Sequence, residues 1–460
     1  MLNIDYINFL NNNSILIVGF TPRSGVSIAN TIHRINSEYN TSIQYSITDS
    51  KKKEDLEYSI SLLKDKNIKC FFENQDPSIL ENITLIIISP GVPQSINLIK
   101  EAKKRNIMII GEIEFAYNLI PNNYYIAITG TDGKTTTSTL IYHIISSYRD
   151  SKLLGNVGNT FSKEIFNIRE NEDIILELSS FQLETIKNFK PNISVILNIA
   201  EDHLDRYKDI DDYFNAKKNI FKNQTLSNDY LILNYDNYYT NKLYYEIKDK
   251  VNILTFSYSN HNANIYYSDD DLFFNGKRIL SIKNRKLLGK HNIENILASA
   301  LVCLKSNIPL NYIEKAINTF NGVEHRLEFV ANINGVKYIN DSKATSLNSV
   351  ISAVNTFDNN IILIMGGRNK GLDFSPLSEI IKDKVKKLIL IGEASEELNN
   401  MINFDDKIII KDFKDAFNYA SSIALKDDIV LLSPGCSSFD SFKSFEERGN
   451  YFKSLVNSML

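Results

Sequence analysis

Apolar residues along this chain fall into short unbroken runs, separated by stretches in which they recur every three or four positions. Residues 15–19, 43–48, 68–72, 85–89 and 107–110 are runs of the first kind. They have the length and composition of strands buried on both faces. Residues 56–64 and 96–104 have helical spacing and lie between them. Strands that alternate with helices predict a parallel sheet covered on both sides, here a Rossmann-like section over residues 1–120. The polar turn Pro121-Asn122-Asn123 closes that section.

A second section, residues 121–323, opens with YYIAITGTDGKTTTS. Its continuous apolar runs at 174–178 and 194–199 predict central parallel strands, and further strands are expected at 230–234 and 253–256. Asn275-Gly276 inside 271–280 predicts a hairpin, and 287–304 a helix opened by a glycine loop. Strands at 336–340, 361–365, 387–391, 408–410 and 429–432 repeat the alternation over residues 324–460. The expected fold is therefore α/β with three domains. These are an N-terminal Rossmann-like sheet, a central P-loop ATPase-like domain with a mostly parallel sheet, and a C-terminal Rossmann-like domain.

Composition narrows the function. A length of 460 residues fits two or three domains of ~100–200 residues each. A net charge of -4 argues against a nucleic-acid binder held by phosphate contacts. The three cysteines, Cys70, Cys303 and Cys436, are odd in number and far apart, which predicts neither a disulfide framework nor a zinc site. The start MLNIDYINFLNNNS lacks the charge and apolar core of a secretory signal. No apolar run approaches the ~20 residues of a spanning helix. A cytoplasmic, monomeric protein without nucleic-acid or membrane partners is the expectation.

The chemistry concentrates just beyond the apolar runs, where open α/β sheets bind ligands. Residues 126–128 run into Gly130-Thr131-Asp132-Gly133-Lys134-Thr135-Thr136, followed by a helical segment. Backbone N–H groups and a helix N-terminus there form a phosphate cradle, with Lys134 as point charge and the Thr135 hydroxyl for a magnesium ion. Ile128 occupies the place of the first glycine of the common pattern, so this is a shorter variant. Glu177, at the end of the next run, is placed to hold Mg²⁺. Glu201-Asp202-His203-Leu204-Asp205-Arg206-Tyr207 crowds charges at another strand end, a costly arrangement unless a cation or substrate needs them, or unless it is a solvated turn. Asn292 and Asn295, one turn apart, could read a base edge or cap the helix. Arg326 and Lys343 are placed to meet phosphates held by another domain. The hydroxyl-rich stretch 433–439 suits a small carboxylate ligand, and Cys436 has no histidine nearby to activate it.

Together GTDGKTT, ELSSFQLE, EDHLDRY, GKHNIEN, EHRLE, NDSKAT and SPGCSSFDSFKSFEERG resemble the Mur ligases. ELSSFQLE and SFDSFKSFEERG are similar to the members that add D-glutamate. The resemblance implies ATP and Mg²⁺, with UDP-N-acetylmuramoyl-L-alanine and D-glutamate as partners. An acyl phosphate would form on the sugar-nucleotide carboxylate and be attacked by the amine. It implies that Gly130, Asp132, Gly133, Lys134, Thr135, Thr136, Asn292, Asn295, Arg326 and Asp341 bind ATP. It puts Ser24, Asp49, Ser50, Lys51, Asn156 and Gln182 on the UDP-substrate. It puts Asp202, Thr345, Lys370, Ser438, Phe439 and Phe445 on D-glutamate. Metal would fall to Thr135, Glu177, His203 and a carbamylated Lys217, and Lys343 would stabilise developing charge. Lys134, Glu177, His203, Lys217 and Lys343 form the implied catalytic set.

Two departures stand out. The loop Gly19-Phe20-Thr21-Pro22-Arg23-Ser24-Gly25 is longer than the family's G-x-G-x-[ST]-G and lacks its central glycine, and Pro22 removes one amide donor. Gly435 stands where alanine is usual. Three other readings have distinct signatures. A different Mur ligase or a folylpolyglutamate synthase would release phosphate with another amino acid. A dehydrogenase on the first sheet would bind NADH without using ATP. A non-catalytic nucleotide-binding regulator would tolerate loss of Lys134.

Overall fold

The computed structural model describes residues 2–73, 75–203, 206–287, 289–369 and 371–460. Three sheets follow one another along the chain. The first contains β1 (Ser14–Val18), β2 (Gln44–Asp49), β3 (Lys69–Phe72), β4 (Leu85–Ile88) and β5 (Met108–Gly111), all parallel, in the order β3-β2-β1-β4-β5. The second contains β6 (Tyr124–Thr129), β7 (Ser151–Gly155), β8 (Asp173–Glu177), β9 (Ile193–Ile196), β10 (Tyr230–Asn234), β11 (Asn252–Ser257), β12 (Ile265–Ser268), β13 (Asp271–Phe274) and β14 (Lys277–Ser281). Its order is β14-β13-β12-β11-β10-β9-β6-β8-β7, with only the β12-β13-β14 edge antiparallel. The third contains β15 (Glu328–Ile333), β16 (Val336–Asn340), β17 (Ile361–Gly366), β18 (Val385–Ile391), β19 (Lys407–Ile409) and β20 (Ile429–Gly435), ordered β15-β16-β20-β17-β18-β19.

The unbroken apolar runs are explained by burial on both faces. In the third sheet Leu363, Leu388 and Leu431 pack into one core, while their neighbours Ile362, Ile389 and Val430 pack into another on the opposite face. A strand between two helical layers has no solvent side, so its sequence does not alternate. The strands that periodicity did not reveal are β7, β12 and β15. β7 and β15 are edge strands, with one neighbour each. β15 is also interrupted by a bulge between Phe329 and Ala331. The helix expected over 56–64 is instead a 3₁₀ turn, Glu54–Leu56, and a short helix, Glu57–Ser61, because only Leu56 and Leu63 are held in the core there.

The three sheets are distributed over two compact units. Residues 1–283 and 294–317 form one unit, and residues 284–293 with 318–460 form the other. The polar turn at 121–123 therefore separates two sheets inside one unit. Tyr125 of β6 packs its ring against Tyr117 (5.2 Å), Phe161 (6.0 Å) and Phe189 (6.0 Å). The buried carboxylate of Glu114 accepts the N–H groups of Lys187, Asn188 and Phe189 at 2.7–3.0 Å. Each group satisfies the other, so neither polar partner is left unpaired in the interior. The second boundary differs from the expected residue 324 in that 284–293 and 318–323 group with the C-terminal unit.

Candidate functional site

β6 is central in its sheet, with Ile128 paired to Glu177 of β8 on one side and to Val195 of β9 on the other. The chain leaves β6 through Gly130–Gly133 and enters the helix Lys134–Ser146. Gly133 caps that helix at φ +79°, and a Cβ there would lie 2.3 Å from Asn295 Oδ1. Only glycine fits both the conformation and the space. Asn198 Oδ1 accepts the N–H groups of Thr131 and Asp132 at 3.1 and 2.8 Å, fixing the loop. The N–H groups of Thr135 and Thr136, in the first turn, have no intrahelical carbonyl to bond. The Lys134 ammonium folds over the loop, donating to Gly130 O (2.9 Å) and Thr131 O (2.7 Å). This is a cradle of suitable polarity for an oligophosphate.

Glu177 is buried, and its carboxylate accepts from Asn156 Nδ2 (2.9 Å) and Ser138 Oγ (3.3 Å). The first-turn hydroxyl of Thr135 is buried on the same helix as Ser138. Among the described residues no group of three or more His, Cys, Asp or Glu could cage a metal. Hard oxygen donors at a phosphate cradle nevertheless fit magnesium, which keeps water and phosphate oxygens and needs few carboxylates. Lys217 is 1% exposed, donates to Gly130 O at 2.8 Å and lies 4.6 Å over the Tyr213 ring. Burial, reinforced by the charge of Lys134, holds its amine well below the usual lysine range.

His203 adopts φ +55°, with Nε2 3.4 Å from Asp202 and its ring 4.8 Å from Phe181. Part of the crowding in this segment has an architectural cause. Arg206 pairs with Glu184 at 2.8 Å, lies 4.0 Å over Phe181 and donates to Pro90 O, while Tyr207 donates to Glu184 at 2.7 Å. Leu204 and Asp205 lie outside the described residues.

A cleft of about 430 Å³ opens beside the cradle. It brings together Ser24, Lys134, Asn156, Gln182, His203 and Lys217. Asp49, Ser50 and Lys51 do not line it. Asp49 instead accepts the N–H groups of Phe20 (2.7 Å) and Lys51 (3.0 Å), bracing the first glycine loop. In that loop the end glycine keeps its packing role, since a Cβ on Gly25 would lie 2.4 Å from Gly19 O. The extra residues instead put Arg23 into the cleft, where its guanidinium donates to Gly155 O at 2.9 Å. Glu112, at the end of β5, also lines the cleft. It is buried and accepts the Ser162 N–H at 2.6 Å, and burial raises its carboxyl above the usual range. Neither was singled out from sequence, although Glu112 stands where the strand-end rule looks.

On the helix Lys290–Lys305, Asn295 accepts from Thr137 Oγ1 at 3.1 Å, which fixes it against the cradle. Asn292 lies in the part of that helix grouped with the C-terminal unit. In that unit Arg326 acts on a buried Asp341, which accepts from Ser433 Oγ (2.8 Å) and the Leu327 N–H (3.1 Å). Burial pushes the Asp341 carboxyl up to about 7, against these bonds. Lys343 Nζ lies 5.6 Å over the Phe445 ring. Thr345 lies in the loop between β16 and the helix Leu347–Asn355, Ser438 is buried and Phe439 is exposed. The strand β20 runs through Pro434 to Gly435, so the serine-rich turn begins three residues later than expected. Lys370 lies outside the described residues. Cys436 is buried, which pushes its thiol up to about 12 and keeps it inert.

Three family models match in chain order: Mur ligase MurD-like N-terminal domain at 13–111, Mur ligase middle domain at 128–303, and Mur ligase glutamate ligase domain at 325–436. The UDP-N-acetylmuramoylalanine--D-glutamate ligase of Clostridioides difficile (strain 630) is 37% identical over 460 residues, covering 98% of this chain and 99% of that protein. The chain belongs to the Mur ligase family. A second Mur ligase with the same printed name, from Natranaerobius thermophilus, is 39% identical over 432 residues, 90% of this chain and 93% of its own. Among solved Mur ligases, a UDP-N-acetylmuramate-alanine ligase of Thermotoga maritima superposes with TM-score 0.56 at 18% identity, over 98% of this chain and 100% of that one. A MurF ligase of Thermotoga maritima in complex with ADP gives 0.58 at 15% identity, over 98% and 99%. These two share the fold. No helix among the described residues is long and apolar enough to cross a membrane.

Proposed function

We propose that this Mur ligase joins D-glutamate to UDP-N-acetylmuramoyl-L-alanine at the expense of ATP. The observation that carries the reading is that one cleft holds the cradle lysine Lys134, the buried Lys217, His203, and Ser24, Asn156 and Gln182 from the sugar-nucleotide set. In this reading an oxygen of the alanyl carboxylate attacks the γ-phosphorus and ADP leaves. The amine of D-glutamate, having lost a proton, then attacks the acyl carbon, and inorganic phosphate leaves with the C–O bond electrons. The chain contributes position and charge. Gly130, Asp132, Gly133, Thr135 and Thr136 with Lys134 seat the triphosphate, and Asn292 and Asn295 the adenosine. Arg326, Asp341 and Lys343 are the residues of the C-terminal unit assigned to the nucleotide and its developing charge. Asp202, Thr345, Lys370, Ser438, Phe439 and Phe445 form the amino-acid site, and Asp49, Ser50 and Lys51 the uridine end.

Magnesium would neutralise phosphate charge when held by Thr135, Glu177 and His203. Burial favours the uncharged form of the Lys217 amine, the form that takes up CO₂, and as a carbamate it would add an oxygen ligand. ADP release measured with the sugar nucleotide and a panel of D-glutamate, L-glutamate, L-alanine and diaminopimelate tests the reading. D-Glutamate alone should support turnover. Release with another amino acid would replace the substrate assignment, and none with any would remove the ligase reading.

A further inference from the structure

Arg448 is the largest fully buried side chain among the described residues, at 1% exposure. It sits in the first turns of the helix Phe445–Asn457, whose cap is Ser444. Its Nε donates to Ser342 Oγ at 3.0 Å, and its Nη2 donates to Ser342 O at 2.9 Å and Cys436 O at 3.1 Å. Ser342 in turn donates its hydroxyl to Phe445 O at 2.8 Å. Nη1 has no hydrogen-bond partner among the described residues and stands 3.1 Å from where a Cβ on Gly367 would lie. A buried guanidinium is normally matched by a carboxylate. Here two backbone carbonyls and a hydroxyl take that place, and Asp440 contributes only at a distance through its field.

The groups it holds belong to segments that lie far apart in the chain. Ser342 precedes Lys343 and Thr345, and Cys436 precedes Ser438 and Phe439. A third segment is stitched to the second, because Ser437 and Arg368 exchange backbone bonds of 2.9 and 3.1 Å. The first and second are joined once more where the Gly435 N–H donates to Ala344 O at 2.9 Å. A planar fork whose Nε meets a hydroxyl while its Nη2 meets two carbonyls is a task lysine cannot reproduce.

We propose that Arg448 is the positioning residue of the amino-acid subsite, setting the distance between the segment that carries Lys343 and Thr345 and the segment that carries Ser438. The inference rests on the ligase reading above. The variants are R448M, R448K and S342A, each assayed for KM and kcat with all three substrates, for sugar-nucleotide affinity by calorimetry and for melting temperature. R448M should raise the KM for D-glutamate about tenfold, and R448K and S342A by smaller factors of about three. Sugar-nucleotide affinity should stay within about twofold, and KM for ATP, to which Lys343 contributes, should rise less than that for D-glutamate. Equal loss for all substrates, or D-glutamate KM within about twofold of native in folded variants, would overturn the proposal. Should R448M fail to fold, R448K and S342A decide by the same split. If the native enzyme turns over with a different amino acid, the substrate reading falls, and Arg448 is judged on that amino acid's KM.

Discussion

Gly133→Ala probes the cradle most directly. The native residue has φ +79°, and an added Cβ would meet Asn295 Oδ1 at 2.3 Å. Alanine in the left-handed region costs about 1–2 kcal/mol. Clearing the contact turns Asn295 away and breaks its 3.1 Å bond from Thr137, at about 1 kcal/mol. The sum, about 2–3 kcal/mol, is the free energy of holding the loop in its present form. A free loop relaxes out of the strained form, and nucleotide binding must restore it. The cost therefore emerges as roughly 30- to 150-fold weaker ADP binding, less any share seen as lost stability. Calorimetric titration of the native chain, G133A, N295A and the double variant with ADP and magnesium measures it. In the N295A background the contact is gone, and G133A should cost about 1 kcal/mol less than in the native background. Additive effects in this cycle, or ADP affinity of G133A within about threefold of native with unchanged melting, would refute the reasoning.

Other outcomes follow from the same geometry. Asp341 is neutral in both states below about pH 4, and up to about pH 7 the unfolded chain ionises while the folded carboxyl keeps its proton. Stability of the C-terminal unit should fall by about 1.4 kcal/mol per pH unit across that window, and D341N should flatten the slope in pulse proteolysis at pH 5 and pH 7. K134A, E177A and H203A should each lower ADP release by at least about a hundredfold while circular dichroism stays native, and near-normal rates would remove those residues from the site. Iodoacetamide on the folded chain should label the half-buried Cys70 before the buried Cys303 and Cys436, read by peptide mass mapping.

The parallel strands were legible because burial on both faces leaves an unbroken apolar signature, as in β4, β8 and β17. The edge strands β7 and β15 were not, since their composition is mixed, whereas the edge strands β3, β5 and β19 carry apolar runs. The phosphate loop was legible because its glycines, lysine and threonines are contiguous. Arg23 and Glu112 were not, because a cleft assembled from β1, β5 and β7 ends has no local pattern. Asp49 shows the converse. The resemblance put it on the UDP-substrate, and within the chain its carboxylate accepts the N–H groups of Phe20 and Lys51, a bracing role that no local pattern announces. Arg206 read as part of a crowded charged segment because its partner Glu184 lies 22 residues away in the chain.

The ring cluster around Tyr125 has a practical consequence for anyone dissecting the enzyme. Since Tyr117, Phe161 and Phe189 share one apolar interior with it, scission near Asn122 would not liberate two independent modules. The halves would either remain associated after nicking or, produced separately, present sticky aromatic surfaces and precipitate. Chimeras between relatives should accordingly exchange residues 1–283 together with 294–317, because a graft ending at the polar turn would pair mismatched rings.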